Sequence, residues 1–71
     1  MIIEVGKSYL TRDKRIVEVV SINPDVQHYY PVEGREKGSK HIMSWTRNGY
    51  FFNDGIRNMQ HPLDFMKEAN V

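Results

Sequence analysis

Three histidines, nine acidic and ten basic side chains are the groups in this 71-residue chain that could do chemistry, and their spacing argues against catalysis. His28, His41 and His61 stand far apart, with no His-x-His or His-Glu-x-x-His pair to present two imidazoles to one metal ion. Neither a glycine-flanked serine elbow nor a Walker loop is present, and no local pair of carboxylates is set as acid and base. The absence of cysteine removes thiolate zinc sites and disulfides together, and is compatible with a reducing compartment. The expectation is a protein that is not an enzyme and uses no metal or cofactor.

Binding chemistry is better represented. The net charge is only +1, too small for a generic binder of long nucleic acid. The charge is uneven, however. Lys7, Arg12, Lys14 and Arg15 surround Asp13 alone, and Arg35, Lys37, Lys40, Arg47 and Arg57 outnumber Glu36 and Asp54. Gathered by folding, these cations suit a small anion. A planar guanidinium donates two parallel hydrogen bonds to an oxyanion, and an aromatic face stacks on a nucleobase. The candidate ligand set is therefore Arg12, Tyr29, Lys40, Trp45, Thr46, Arg47, Tyr50 and Arg57. Each has a plainer reading beside it. Trp45 would serve equally as the largest side chain of a thin core, Arg12 as the ion-pair partner of Asp64, and Arg47 as a solvated turn residue. Tyr29 and Tyr30, adjacent in an extended segment, point to opposite faces, so one is expected inside and the other presented.

The elements that must position these groups are strands. Val5–Thr11 reads as a first strand and Arg12–Arg15 as a turn. Ile16–Ile22, dense in β-branched residues, reads as the central strand. Asn23-Pro24-Asp25 stops it, and 27–32 reads as a third strand with Pro31 near an edge. The segment 33–40, with two glycines and no apolar side chain, reads as a loop. His41–Trp45 and Tyr50–Phe52 form a hairpin about Asn48-Gly49, the dipeptide favoured in a two-residue type I′ turn. Asn53-Asp54-Gly55 is a second turn, and Pro62–Ala69 is expected to make a short helical turn. There is no internal repeat. The fold class is all-β: one domain over 1–71, either a small antiparallel SH3-like barrel or a strongly twisted five-stranded meander with a short C-terminal helical turn. Tyr9, Val17, Val19, Ile42 and Phe51 are expected in its core.

Four stretches in order, Gly6-Lys7-Ser8-Tyr9-Leu10-Thr11-Arg12-Asp13, Tyr30-Pro31-Val32-Glu33-Gly34, Trp45-Thr46-Arg47-Asn48-Gly49-Tyr50 and His61-Pro62-Leu63-Asp64-Phe65, cover much of the chain. Their set resembles a family of short proteins of tailed bacteriophages and prophages. The family pattern has glycine after its Arg-Asp pair, where Lys14 stands here, and ends its last motif in Asp-Leu, where this chain has Asp64-Phe65. The resemblance implies phage origin and an accessory role, such as blocking a host protein or sequestering a nucleotide signal, and it supplies no catalytic residues.

A domain of this size buries only about 60% of its unfolded surface, and without staples it gains from dense packing or self-association. A homo-oligomer is expected on that ground. With no signal peptide and no apolar run of about 20 residues, the expected location is the cytoplasm of the infected bacterial cell. The leading expectation is capture of a phosphorylated nucleotide-type ligand in an aromatic and arginine pocket at a subunit interface. A module that inhibits a host enzyme or defence complex is the first rival, and a nucleic-acid-binding barrel the second.

Overall fold

The computed structural model describes residues 1–25, 27–51 and 61–69. The Asn53-Asp54-Gly55 turn and the candidate Arg57 lie outside them. Five antiparallel strands, β1 (Ser8–Thr11), β2 (Ile16–Ile22), β3 (Val32–Glu36), β4 (Ile42–Trp45) and β5 (Phe65–Glu68), form one sheet in the order β4-β3-β2-β1-β5. The chain is all-β, and β2 is central, as its run of β-branched residues requires.

Alternation along the strands assigns the two faces. Tyr9 opposite Val17, Val19 opposite Gly34, and Val32 opposite Trp45 put the core on one side of the sheet. The buried apolar side chains are Tyr9, Val17, Val19, Val32, Trp45 and Phe65, with Ile3, Ile22, Met43 and Phe51 packed against them. Glu18, Arg35 and Ile42 stand in register on the other face. Ile42, expected inside, is 45% exposed. Because Met43 and Trp45 take the inward positions of β4, period-two alternation turns Ile42 outward. Phe51 is half-buried at the rim of the core.

The sheet is rolled. Extra residues in the ladder, Met66 of β5 opposite Leu10 and Thr11 and Val20 of β2 opposite Glu33 and Gly34, bend β5 and β2. The sheet's two edges then meet at one corner. The Phe65 N–H donates to the Gly49 carbonyl at 2.8 Å, and the Trp45 ring of β4 stacks on the Phe65 ring of β5 with centroids 4.6 Å apart. Phe65 is also stacked on Tyr9 at 5.0 Å, so an aromatic column spans the core from β1 to β4. Gly34 gives the indole room. A Cβ there would sit 3.2 Å from Trp45 Cζ3 and 2.8 Å from the Glu18 carbonyl oxygen.

The first strand is shorter than expected, with Val5 and Gly6 in a turn, and Phe51 makes an isolated bridge to Trp45 in place of a second hairpin strand. Three further elements differ from the sequence expectation. Pro62–Asp64 is a turn leading into β5, not a helical turn, because strand pairing with β1 satisfies the backbone that a single helical turn would leave open. The third strand begins at Val32 and runs to Glu36 through the segment expected to be a loop, while 27–31 is irregular. In β3 the inward position next to Val32 is Gly34, and the outward ones are Glu33 and Arg35, so the apolar alternation is silent. The Asn48-Gly49 turn is not type I′. Among the described residues Lys14 is the one non-glycine with positive φ, so only Gly49, at +90°, is left-handed in that turn. The loop Arg47-Asn48-Gly49 is the three-residue form, a type I turn closed by a left-handed residue.

Candidate functional site

The two turns built on Thr-Arg-Asx are the same turn. In the first, the Lys14 N–H donates to the Thr11 carbonyl at 3.0 Å, the Thr11 N–H to the Arg15 carbonyl at 2.8 Å, and the Arg15 N–H to Thr11 Oγ1 at 2.9 Å. In the second, Gly49 donates to the Thr46 carbonyl at 3.0 Å, Thr46 to the Tyr50 carbonyl at 2.8 Å, and Tyr50 to Thr46 Oγ1 at 3.0 Å. Lys14 takes the left-handed place of Gly49, with φ +73° against +90°. A four-residue motif thus recurs in a chain expected to hold no repeat. The sequence signal was Thr11-Arg12-Asp13 against Thr46-Arg47-Asn48, with Lys14 hiding the match. Thr46, placed in the candidate ligand set, is buried, and its Oγ1 accepts a backbone N–H of this turn.

In both turns the arginine reaches across to a neighbouring segment. Arg12 Nη2 lies 3.8 Å from Asp64 Oδ2, the ion-pair reading of that residue. Arg47 Nη2 donates to the carbonyls of Asn23 and Asp25, at 3.4 and 3.1 Å.

Asp64 is the hub of the His61–Phe65 motif. Its carboxylate, almost fully buried, accepts the Phe51 N–H at 2.8 Å and the His61 N–H at 3.1 Å. Its carbonyl accepts the Arg12 N–H and the Pro62 carbonyl accepts that of Asp13, both at 2.9 Å. The Leu63 carbonyl accepts the Trp45 indole N–H at 2.8 Å. Trp45 is wholly buried, with Phe65 on its face and Phe51 against its edge. It is a core side chain, with no face open to a stacked base. Two His side chains are also in use: His61 Nδ1 accepts the Leu63 N–H and His28 Nδ1 accepts the Tyr30 N–H. Among the described residues no three of His, Asp and Glu come together as metal ligands would.

Tyr29, Arg47 and Tyr50 remain at the surface. Tyr29 is 75% and Tyr50 56% exposed. The loop that carries Tyr29 is stiffened locally. Asp25 Oδ1 accepts the Gln27 N–H, the Asp25 carbonyl accepts that of His28, and the Asn23 N–H closes onto the Pro31 carbonyl. Through its two carbonyl bonds Arg47 joins this loop to the turn that Tyr50 ends. Lys40 lies elsewhere, in the loop after β3. The described members of the predicted set therefore divide into a core group (Trp45, Thr46), a clamp (Arg12), an exposed end (Tyr29, Arg47, Tyr50) and a separate lysine.

Besides Arg12, three cations of the expected positive patch are paired with carboxylates among the described residues. Arg15 binds Asp13 at 2.9 Å and Glu36 at 3.4 Å, Arg35 binds Glu18 at 3.6 Å, and Lys7 binds Glu4 at 3.1 Å and Glu68 at 3.6 Å. The hydrogen bond from Lys7 to Glu4, with the charges of Glu4 and Glu68, raises the Lys7 pKa above its ordinary 10.5.

No protein-family model, curated protein or solved structure matches the chain. Among the described residues no helix is long and apolar enough to cross a membrane.

Proposed function

We propose that the protein acts by binding, without catalysis, and that the Tyr29–Arg47–Tyr50 end docks on a protein partner. One observation carries this reading: Arg47 ties the loop bearing one exposed tyrosine to the turn bearing the other. Tyrosine and arginine dominate the energetic centres of protein interfaces, because they bring large contact area and directional donors with few torsions to freeze. Preorganised segments also lose less entropy on docking. A nucleotide pocket on the same residues is less well supported, since Trp45 has no free face and Arg12 is engaged by Asp64.

The resemblance to tailed-phage proteins makes a host enzyme or defence complex the expected partner, and the role that of a counter-defence accessory protein. A second copy of the chain is the competing partner. The test is affinity purification from bacterial lysate with wild-type protein and with the Tyr29→Ala/Tyr50→Ala variant, each shown by its melting curve to be folded. A host protein retained by the wild type and lost by the variant is expected, because interface anchors cost more than about 1 kcal/mol each when truncated. The same partner retained equally by both would refute the docking surface.

A further inference from the structure

A groove of about 470 Å³ opens between the outer face of the sheet and the loop after β3, remote in sequence from the tyrosine end. Its volume lies in the range of small-molecule sites, about 300–1,000 Å³. Half-buried Ile16 gives it an apolar wall.

The two ends of the groove differ in chemistry. At the loop end stand Lys37, Ser39 and Lys40. Both carboxylates of the groove already have arginine partners: Glu18 has Arg35 at 3.6 Å and Glu36 has Arg15 at 3.4 Å. Lys37 and Lys40 have no carboxylate within ion-pair distance among the described residues, so two ammonium charges at this end are uncompensated. Ser39 Oγ accepts the His41 N–H at 3.1 Å, which leaves the hydroxyl proton for an outside acceptor. Gly38, with φ +89°, turns the loop, and a Cβ there would meet nothing within 4 Å, so an incoming group can approach the backbone. The other end offers the Glu18 carboxylate and the Ser8 hydroxyl, which stand in register on β2 and β1. Carboxylates and hydroxyls of this kind accept from the hydroxyl groups of a sugar.

We infer that the groove binds a phosphorylated sugar, with the phosphate between Lys37, Ser39 and Lys40 and the sugar hydroxyls toward Glu18 and Ser8. A nucleoside monophosphate and a free sugar phosphate share this chemistry. Binding here is independent of the proposed tyrosine docking end.

The experiment is an amide NMR titration of the full chain with ribose 5-phosphate, adenosine monophosphate, ribose and inorganic phosphate. Saturable shifts confined to Ser8, Glu18 and 37–40 are expected with one or both phosphosugars, and whichever binds identifies the source. Ribose and phosphate alone should bind at least tenfold more weakly. Lys37→Ala/Lys40→Ala should weaken binding at least tenfold with no change in melting temperature, since both side chains are exposed and unpaired. Glu18→Gln should weaken the phosphosugar without weakening inorganic phosphate. The inference falls if neither phosphosugar gives saturable shifts at millimolar concentration. It falls equally if the shifts lie outside the groove, if the double lysine variant binds as the wild type does, or if phosphate alone binds as tightly.

Discussion

Lys14 and Gly49 occupy the same place in the same turn, and the comparison isolates the cost of a side chain in the left-handed region. That region costs an ordinary residue about 1–2 kcal/mol, of which glycine's greater freedom in the unfolded chain returns about 0.5–1. Lys14→Gly is therefore expected to stabilise the protein by about 0.5–1 kcal/mol, read as a higher urea midpoint at unchanged slope. Gly49→Ala should do the opposite and more strongly, because its Cβ would also lie 3.0 Å from Phe65 Cβ. An unchanged midpoint for Lys14→Gly would mean that the turn carries no strain. Lys7 gives a pH test of the surface pairs. Since folding raises its pKa, its contribution is complete below the unfolded value near 10.5 and is lost as pH rises through the folded one. Wild type should lose stability relative to Lys7→Met above that pH and show no such difference in slope near neutrality. At this scale the sequence was informative about partners where chemistry was specific, as with Arg12 and Asp64. It was uninformative about direction for Trp45, whose face and edge are equally useful in a core and in a ligand site.

The five-residue motif His61–Phe65 acts as an element although it is neither helix nor strand. Its carbonyls hold Trp45, Arg12 and Asp13, and its carboxylate holds Phe51 and His61, so it locks β5 and the residue after the second turn onto the first turn. Asp64→Asn keeps the size but points an amide NH₂ at one of two backbone donors. Leaving a buried donor unsatisfied costs about 1–3 kcal/mol, so a loss in that range is expected on chemical denaturation. Arg12→Met should cost less than Asp64→Asn, because the guanidinium is a third exposed and its contact with the carboxylate is long, at 3.8 Å. The reverse order would place the stabilising contact at Arg12. Strand β2 was legible to the residue, since Ile16–Ile22 states its own propensity. Strand β3 was not, because its inward glycine is filled from outside by an indole more than ten residues away in sequence, and local patterning cannot report that. Strand β5 was hidden similarly: only pairing with β1 distinguishes Phe65–Glu68 from a helical turn.

For the whole molecule, the six buried apolar side chains among the described residues are held by a sheet whose ends must meet, so burial and closure stand together. Val19, wholly buried in the central strand, tests this: Val19→Asp places an unpaired charge among Val17, Trp45 and their neighbours and should unfold the domain. Association is the remaining expectation at this scale, and exposed apolar side chains give it a location. Met1 and Ile3 reach the Gly49 position, where the two sheet edges join, and Tyr9 Oη fixes this N-terminal segment by accepting the Glu4 N–H at 2.7 Å and donating to the Ile2 carbonyl at 3.3 Å. Around that corner Met1 is 55%, Ile2 82% and Met66 49% exposed. In a chain of 71 residues with no staple, covering such surface with a second copy stabilises both, and a dimer or larger assembly is expected at micromolar concentration. Light scattering over a dilution series should give at least twice the 8.4 kDa chain mass, falling toward it on dilution. Ile2→Lys/Met66→Lys should return the protein to the single-chain mass with its fold intact, since both side chains are exposed and neither is part of the core. A folded wild-type monomer throughout the series would remove self-association, and an assembly untouched by the double variant would move the interface away from this corner.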